Sequence, residues 1–158
     1  MHSLVFTQLD YCNALLVGVP KYLATKLQSI QNVAARTVLQ KSKFTRVTPL
    51  LIELHWLPVE YRIKFKILLL TYKGLNHDTS PAYIKELLVI KPSQNIRSDM
   101  VLTLIVPKVK HKTLGERSFA RAATAMWNDL PHHLRQCKDI ERFKSSIKSY
   151  LFKLAFGR

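Results

Sequence analysis

ELHWLPVEYRIKFKILLLTYKGL, Glu53 to Leu75, is the most apolar stretch of a chain otherwise thick with lysine and arginine. It predicts a central helix. Pro58 suits a first helical position, where the missing N–H has no intrahelical acceptor to serve, and Glu60 places negative charge in the first turn. At about 100° per residue, Arg62, Lys66 and Lys73 fall within about 40° of one another. Nearly every other direction is apolar: Val59, Ile63, Ile67 and Leu70 make one sector, and Phe65, Leu68, Leu69, Tyr72 and Leu75 a second. A helix apolar almost all round is a buried one, so the cationic stripe is the face left for solvent or for a polyanion. A core helix with a merely solvated stripe is the plainer alternative. Trp56 and Leu57, just before it, read as a corner packed beneath.

Working outward, the chain has 158 residues, 47% hydrophobic and 22% charged, which fits one globular domain in one or two lobes. Its formal net charge of +15 favours RNA, DNA or an anionic membrane surface as partner, without choosing among them. Cys12 and Cys137 are too few and too far apart for a disulfide framework or a paired-cysteine zinc site, so a reducing compartment fits. The apolar start lacks the preceding cationic region of a signal peptide, and Asp10 interrupts it. No apolar run approaches the roughly 20 residues that span a bilayer. The expectation is an intracellular chain, in cytoplasm or nucleus, with no membrane partner.

Before the central helix, Leu4, Phe6, Leu9, Cys12, Ala14, Leu15 and Leu16 predict a helix from about Ser3 to Val17, closed by Gly18 and Pro20. A second, about Lys21 to Leu39, carries Leu23, Leu27, Ile30, Ala34 and Val38 on one stripe, with Gln28, Asn32 and Arg36 opposite. The two make a hairpin. Lys41, Lys43 and Arg46 lie in a short polar connection, and Thr48-Pro49 opens a small helix ending near His55.

After it, His77 to Thr79 read as a loop, and Ser80-Pro81 starts a short helix, Ala82 to Leu88. Between Lys91 and Lys112 the pattern turns extended, with Val101 to Val106 as one strand candidate and Lys108 to Lys112 as a second. Helix returns from about Leu114, with Phe119, Ala122, Ala123, Met126, Trp127 and Leu130 on one face and Arg117 and Arg121 opposite, until Pro131 stops it. Asp139 caps a last helix whose stripe is Ile140, Phe143, Ile147, Tyr150, Leu151 and Leu154, leaving Lys144, Lys148 and Lys153 outside.

LHWLPVEYRIKFKILLLTYK resembles a string of the polymerase proteins of LINE-type (non-LTR, jockey-like) retrotransposons, downstream of the reverse transcriptase palm. LDYCNALLVGVPKYLATKLQSIQNVAARTV, from Leu9 to Val38, resembles the segment before it, and SPAYIKELL, IRSDM and ERSFARAATAMWNDLPHHLR resemble the segments after. These long composite motifs cover most of the chain. The resemblance implies the thumb and tail of such an enzyme, with Met1 standing at an internal position and the palm as a missing intramolecular partner. It also implies a thumb's grip on a template–primer duplex.

Polymerisation needs two metal ions held by aspartates, and the family's paired Asp-Asp box is absent; no two acidic residues are adjacent. Nor is there a Gly-rich phosphate loop, an HExxH helix or a nucleophile elbow, so neither enzyme activity nor a cofactor is expected. His132, His133 and Cys137 offer three metal-ligating groups without a fourth nearby, and a structural role fits them better. Trp56 and Trp127 suit base stacking by type but sit on apolar faces, which favours the core. The cations remain: Arg62, Lys66 and Lys73; Arg117 and Arg121; Lys144, Lys148 and Lys153. A solvated face explains any one set; together they suit sequence-independent phosphate contact.

The expected architecture is mostly α: a thumb-like bundle over 1–88, an extended connection over 89–113, and a helical tail over 114–158 that packs back on the bundle. The expected function is that of a catalytically incompetent reverse transcriptase fragment with a basic surface for the RNA or DNA backbone. Alternatives are a helical interaction module for an acidic protein, or a decayed reading frame without function. Without the palm, Leu4, Phe6, Leu15 and Leu16 are expected to drive self-association.

Overall fold

The computed structural model describes residues 7–77, 80–92, 102–109, 115 and 117–157. The described residues are mostly helical, as the apolar periodicities predict; no strand lies among them, and within the Val101 to Val106 strand candidate Leu104 forms only an isolated bridge. The α-helices are α1 (Lys21–Val38), α2 (Val47–Glu53), α3 (Val59–Asn76), α4 (Ala82–Glu86), α5 (Phe119–Asn128), α6 (His132–Arg135) and α7 (Ile140–Phe156). Among the described residues, no helix is long and apolar enough to cross a membrane. Two compact units share the chain: Met1–Lys64 with Ser149–Arg158, and Phe65–Lys148.

In the first unit the helix expected through Val17 ends early. Residues 7–10 are helical, Cys12 turns left-handed at φ 51°, and a 3-10 turn follows over Asn13–Leu16. Asn13 is buried beyond the break, and its Nδ2 donates to Asp10 Oδ1 at 3.2 Å. Leu4 and Phe6 lie outside the described residues.

Helix α1 buries Ala34 of its predicted apolar stripe but otherwise a neighbouring face. Gln31, Ala34 and Ala35 are buried, while Leu23, Ile30 and Val38 are exposed. The reason is polar: Gln31 Nε2 donates to the Leu57 carbonyl at 2.9 Å, and Gln28 Oε1 accepts the Val59 N–H at 2.9 Å. Gln28 Nε2 in turn donates to Gln31 Oε1 and Asn32 Oδ1. Two glutamines thus serve backbone groups where the chain enters α3, including an N–H that a helix start leaves unpaired.

Both α1 and α2 close with the same double bond pattern. Lys41 N–H reaches the Arg36 carbonyl and Gln40 N–H that of Thr37; Trp56 N–H reaches Leu51 and His55 N–H reaches Ile52. Gln40 and His55 take the left-handed position, φ 51° and 54°, that glycine usually fills. This closure tucks Trp56 into the core of Ala34, Ala35, Leu50 and Leu51, with Leu9, Leu39 and Phe156 packed against it. Tyr61 Oη donates to the Leu154 carbonyl at 3.2 Å, and the rings of His55 and Phe152 stack at 6.0 Å.

The second unit is built on rings. Tyr72 stacks on Phe143 at 4.2 Å between centroids, and Trp127 tilts against Phe143 at 6.1 Å. Ile67, Ala123, Trp127, Phe143 and Ile147 are wholly buried, so α3, α5 and α7 bury the apolar faces their spacing predicts. Leu154, expected on the α7 stripe, is exposed. A Cβ on Gly74 would stand 2.7 Å from Leu88 Cδ1, which is why a glycine lies inside α3 beside the α4 segment.

The extended segment pairs with residues just after α4; of the second strand candidate, Lys108 to Lys112, residues 110–112 lie outside the described residues. Ile90 and Leu104 form an antiparallel bridge, with Lys91 N–H to the Thr103 carbonyl and Ile105 N–H to that of Val89, each 2.8 Å. Asn128 completes Leu104 from α5: its Oδ1 accepts the Leu104 N–H and its Nδ2 donates to the Leu104 carbonyl. Helix α5 begins at Phe119, not Leu114, because Gly115 to Ser118 close a turn with Ser118 extended. Asp139 caps α7 as predicted, accepting the Arg142 N–H at 2.7 Å.

Candidate nucleic-acid interface

The cations of the central helix do not act alike. Arg62 is held by Asp10, which accepts from both Nε and Nη2 in a two-pronged ion pair. That geometry occupies the guanidinium fork that would otherwise meet a phosphate. Lys66 and Lys73 are exposed and form no ion pair among the described residues. Seven residues apart, they stand about 10 Å apart along the axis and about 20° apart around it. That distance spans about three phosphates of one strand of a duplex. Lys73 also lines a groove of about 500 Å³ with His77, Tyr83, Ile84 and Ile140.

Arg117 and Arg121 are not two rungs of one helical face. Arg117 precedes the Ser118 cap, and half-buried Arg121 donates from Nη1 to the Pro107 carbonyl at 3.3 Å. Arg121 thereby ties the extended segment to α5, a structural task. On α7, Lys144 pairs with Glu141. Lys148, one turn on, is exposed; Lys153 is exposed too, but about 180° around the helix from Lys144. The three do not share a stripe.

Trp56 and Trp127 are buried, and Trp127 Nε1 donates to the Leu102 carbonyl at 3.0 Å, so neither ring meets a base. His133 and Cys137 line one shallow groove, but among the described residues no His, Cys, Asp and Glu groups cluster as metal ligands do.

A set that sequence reasoning passed over lies in the connection after α1. Lys41, Lys43 and Arg46 are exposed, and Phe44 between them is 84% exposed. The signal was present: KSKFTR interleaves cations with an aromatic, and no acid stands between Asp10 and Glu53. It was masked by reading a polar connection as a connection only. Comparison with known proteins adds nothing to this geometry, since no family profile, curated protein or solved structure matches the chain.

Proposed function

We propose that the chain is a thumb-and-tail piece of a LINE-type reverse transcriptase, without polymerase activity of its own, whose exposed lysines hold the backbone of RNA or DNA. The observation that carries the family origin is the run of composite motifs in order, centred on LHWLPVEYRIKFKILLLTYK. The mostly helical fold is compatible with that reading, and the absence of adjacent acids supports the lack of catalysis. Support for backbone binding is electrostatic: a net charge of +15, and Lys66, Lys73, Lys148 and Lys153 exposed.

The test is an anisotropy titration of labelled RNA and DNA duplexes over a salt series. Each phosphate contact contributes a slope of about −0.9 in log K against log salt on a duplex. Replacing Lys66 and Lys73 with glutamine is expected to flatten the slope by about 1.8 and to weaken all sequences alike. Glutamine keeps similar helix propensity, so circular dichroism should be unchanged. No duplex binding at low salt, or a double variant equal to wild type, would remove these lysines from the account.

One observation favours a second reading, an interaction module for an acidic protein. On α1, Tyr22, Ile30 and Val33 lie within about 80° of one another and are 62%, 52% and 61% exposed, with Lys26 among them and no acid on the helix. An acidic amphipathic helix complements such a face.

A further inference from the structure

Phe44 stands almost wholly in solvent, on a turn that is built rather than slack. Arg36 reaches across with Nε and Nη2, both donating to the Thr45 carbonyl at 3.2 and 3.1 Å. Thr45 N–H closes on the Ser42 carbonyl at 3.0 Å, and Phe44 N–H on Ser42 Oγ at 3.4 Å. At its base, Lys41 N–H meets the Arg36 carbonyl at 2.8 Å. The ring is held outward while an apolar core lies within the same unit.

Its surroundings are cationic throughout. Lys43 Nζ lies 5.1 Å from the ring centroid, and Lys41 and Arg46 are exposed on either side. The bounding acid on the N-terminal side, Asp10, is already engaged by Arg62. We propose that the Lys41 to Arg46 turn is a stacking site for an unpaired base of single-stranded nucleic acid, with Phe44 supplying the π-face and Lys41, Lys43 and Arg46 the phosphate contacts.

Aromatic faces set among cations bind single strands with little regard to sequence, because every base has a face to stack. A duplex keeps its bases stacked on one another, so a lone ring discriminates in favour of unpaired strand. An anionic bilayer is the weaker fit. Interfacial anchoring needs an apolar face of several side chains, and between Lys41 and Arg46 the only large apolar one is Phe44. The proposal rests on the nucleic-acid reading above but uses other residues and another strand state.

The experiment compares a labelled 12-nucleotide oligo(U) and oligo(dT) with a duplex of equal length, by anisotropy on the full chain. Phe44→Ala is expected to weaken single-strand binding by about 5- to 150-fold, the range of one lost base–aromatic stack, and to leave duplex binding within twofold. Phe44→Trp should retain affinity, and Phe44→Leu, apolar without a π-face, should behave like the alanine variant. With Lys66 and Lys73 replaced by glutamine, the Phe44→Ala ratio on single strands should persist. Because Phe44 stands in solvent, circular dichroism and melting of every variant are expected to match wild type, and both are recorded. Single-strand affinity unchanged in Phe44→Ala, or retained in Phe44→Leu, overturns the proposal. So does a Phe44→Ala variant that leaves phosphatidylserine vesicles but keeps its oligonucleotides. Duplex binding without single-strand binding would sink the stacking site and spare the backbone reading, and loss of both would sink both.

Discussion

Tyr72 is wholly buried, its ring stacked on Phe143, and its hydroxyl has no hydrogen-bond partner among the described residues. A buried hydroxyl left unpaired costs about 1–3 kcal/mol relative to one that is satisfied. Burial raises its pKa above the ordinary value of 10.0, helped by the nearby Cys137 and Asp139. The folded chain therefore keeps this phenol neutral at a pH where the unfolded chain has ionised it. The stability it contributes is whole below pH 10.0 and drains away as pH climbs beyond that value. Tyr72→Phe keeps the stacked ring and removes the hydroxyl. Urea denaturation at neutral pH is expected to find it no less stable than wild type, with a gain of up to about 1 kcal/mol. Above pH 10.0 the variant's advantage should widen; a loss of more than about 1 kcal/mol at neutral pH would mean that the hydroxyl has a partner after all.

At the scale of elements, Gln31 decides how α1 sits. Its side chain is fully buried and its amide serves the Leu57 carbonyl. Gln31→Met preserves length and helix propensity but strands that carbonyl, and an expected loss of about 1–3 kcal/mol should appear as a lower denaturation midpoint. A variant as stable as wild type would show that water serves Leu57 equally well. The same residue marks where sequence reading stops. Apolar spacing located the long helices among the described residues, because those helices bury a face and a buried face repeats every 3.6 residues. Of the α1 stripe it placed Ala34 inside correctly but missed Gln31, since a glutamine goes inside only when a carbonyl 26 residues away accepts its proton. Periodicity carries no term for that bond. The α5 start and the Lys144 to Lys153 stripe were misread for a nearer reason. Ser118 holds an extended cap, and five residues of helix carry Lys153 to the far side from its supposed neighbours. Phe44 was legible as a letter but not as a site, because its exposure depends on Arg36 pinning the turn.

For the molecule as a whole, charge and apolar exposure pull in opposite directions. Leu15, Tyr22, Ile30 and Val33 are all exposed in the first unit, and such surface favours association. A net charge of +15 opposes it by repulsion between copies. Salt shortens the reach of that repulsion to about 10 Å at 0.1 M and about 3 Å at 1 M. Sedimentation at tens of micromolar, an order-of-magnitude choice within typical association ranges, is expected to show self-association that grows as salt is raised. A monomer at both extremes of salt would refute it. The nucleic-acid binding we propose is expected to respond in the opposite sense, weakening as salt rises, so the two behaviours separate within one salt series.

Asn128 gives the short bridge at Leu104 a property that outlasts its role in packing. A side-chain amide, donor and acceptor together, occupies both backbone groups of Leu104 as a neighbouring strand would. An open edge recruits further strands, whether from a peptide ligand or from another copy of the chain. At Leu104 an incoming strand would first have to evict Asn128, and at Leu102 the Trp127 indole that already holds its carbonyl, so side chains of one helix close this edge against growth.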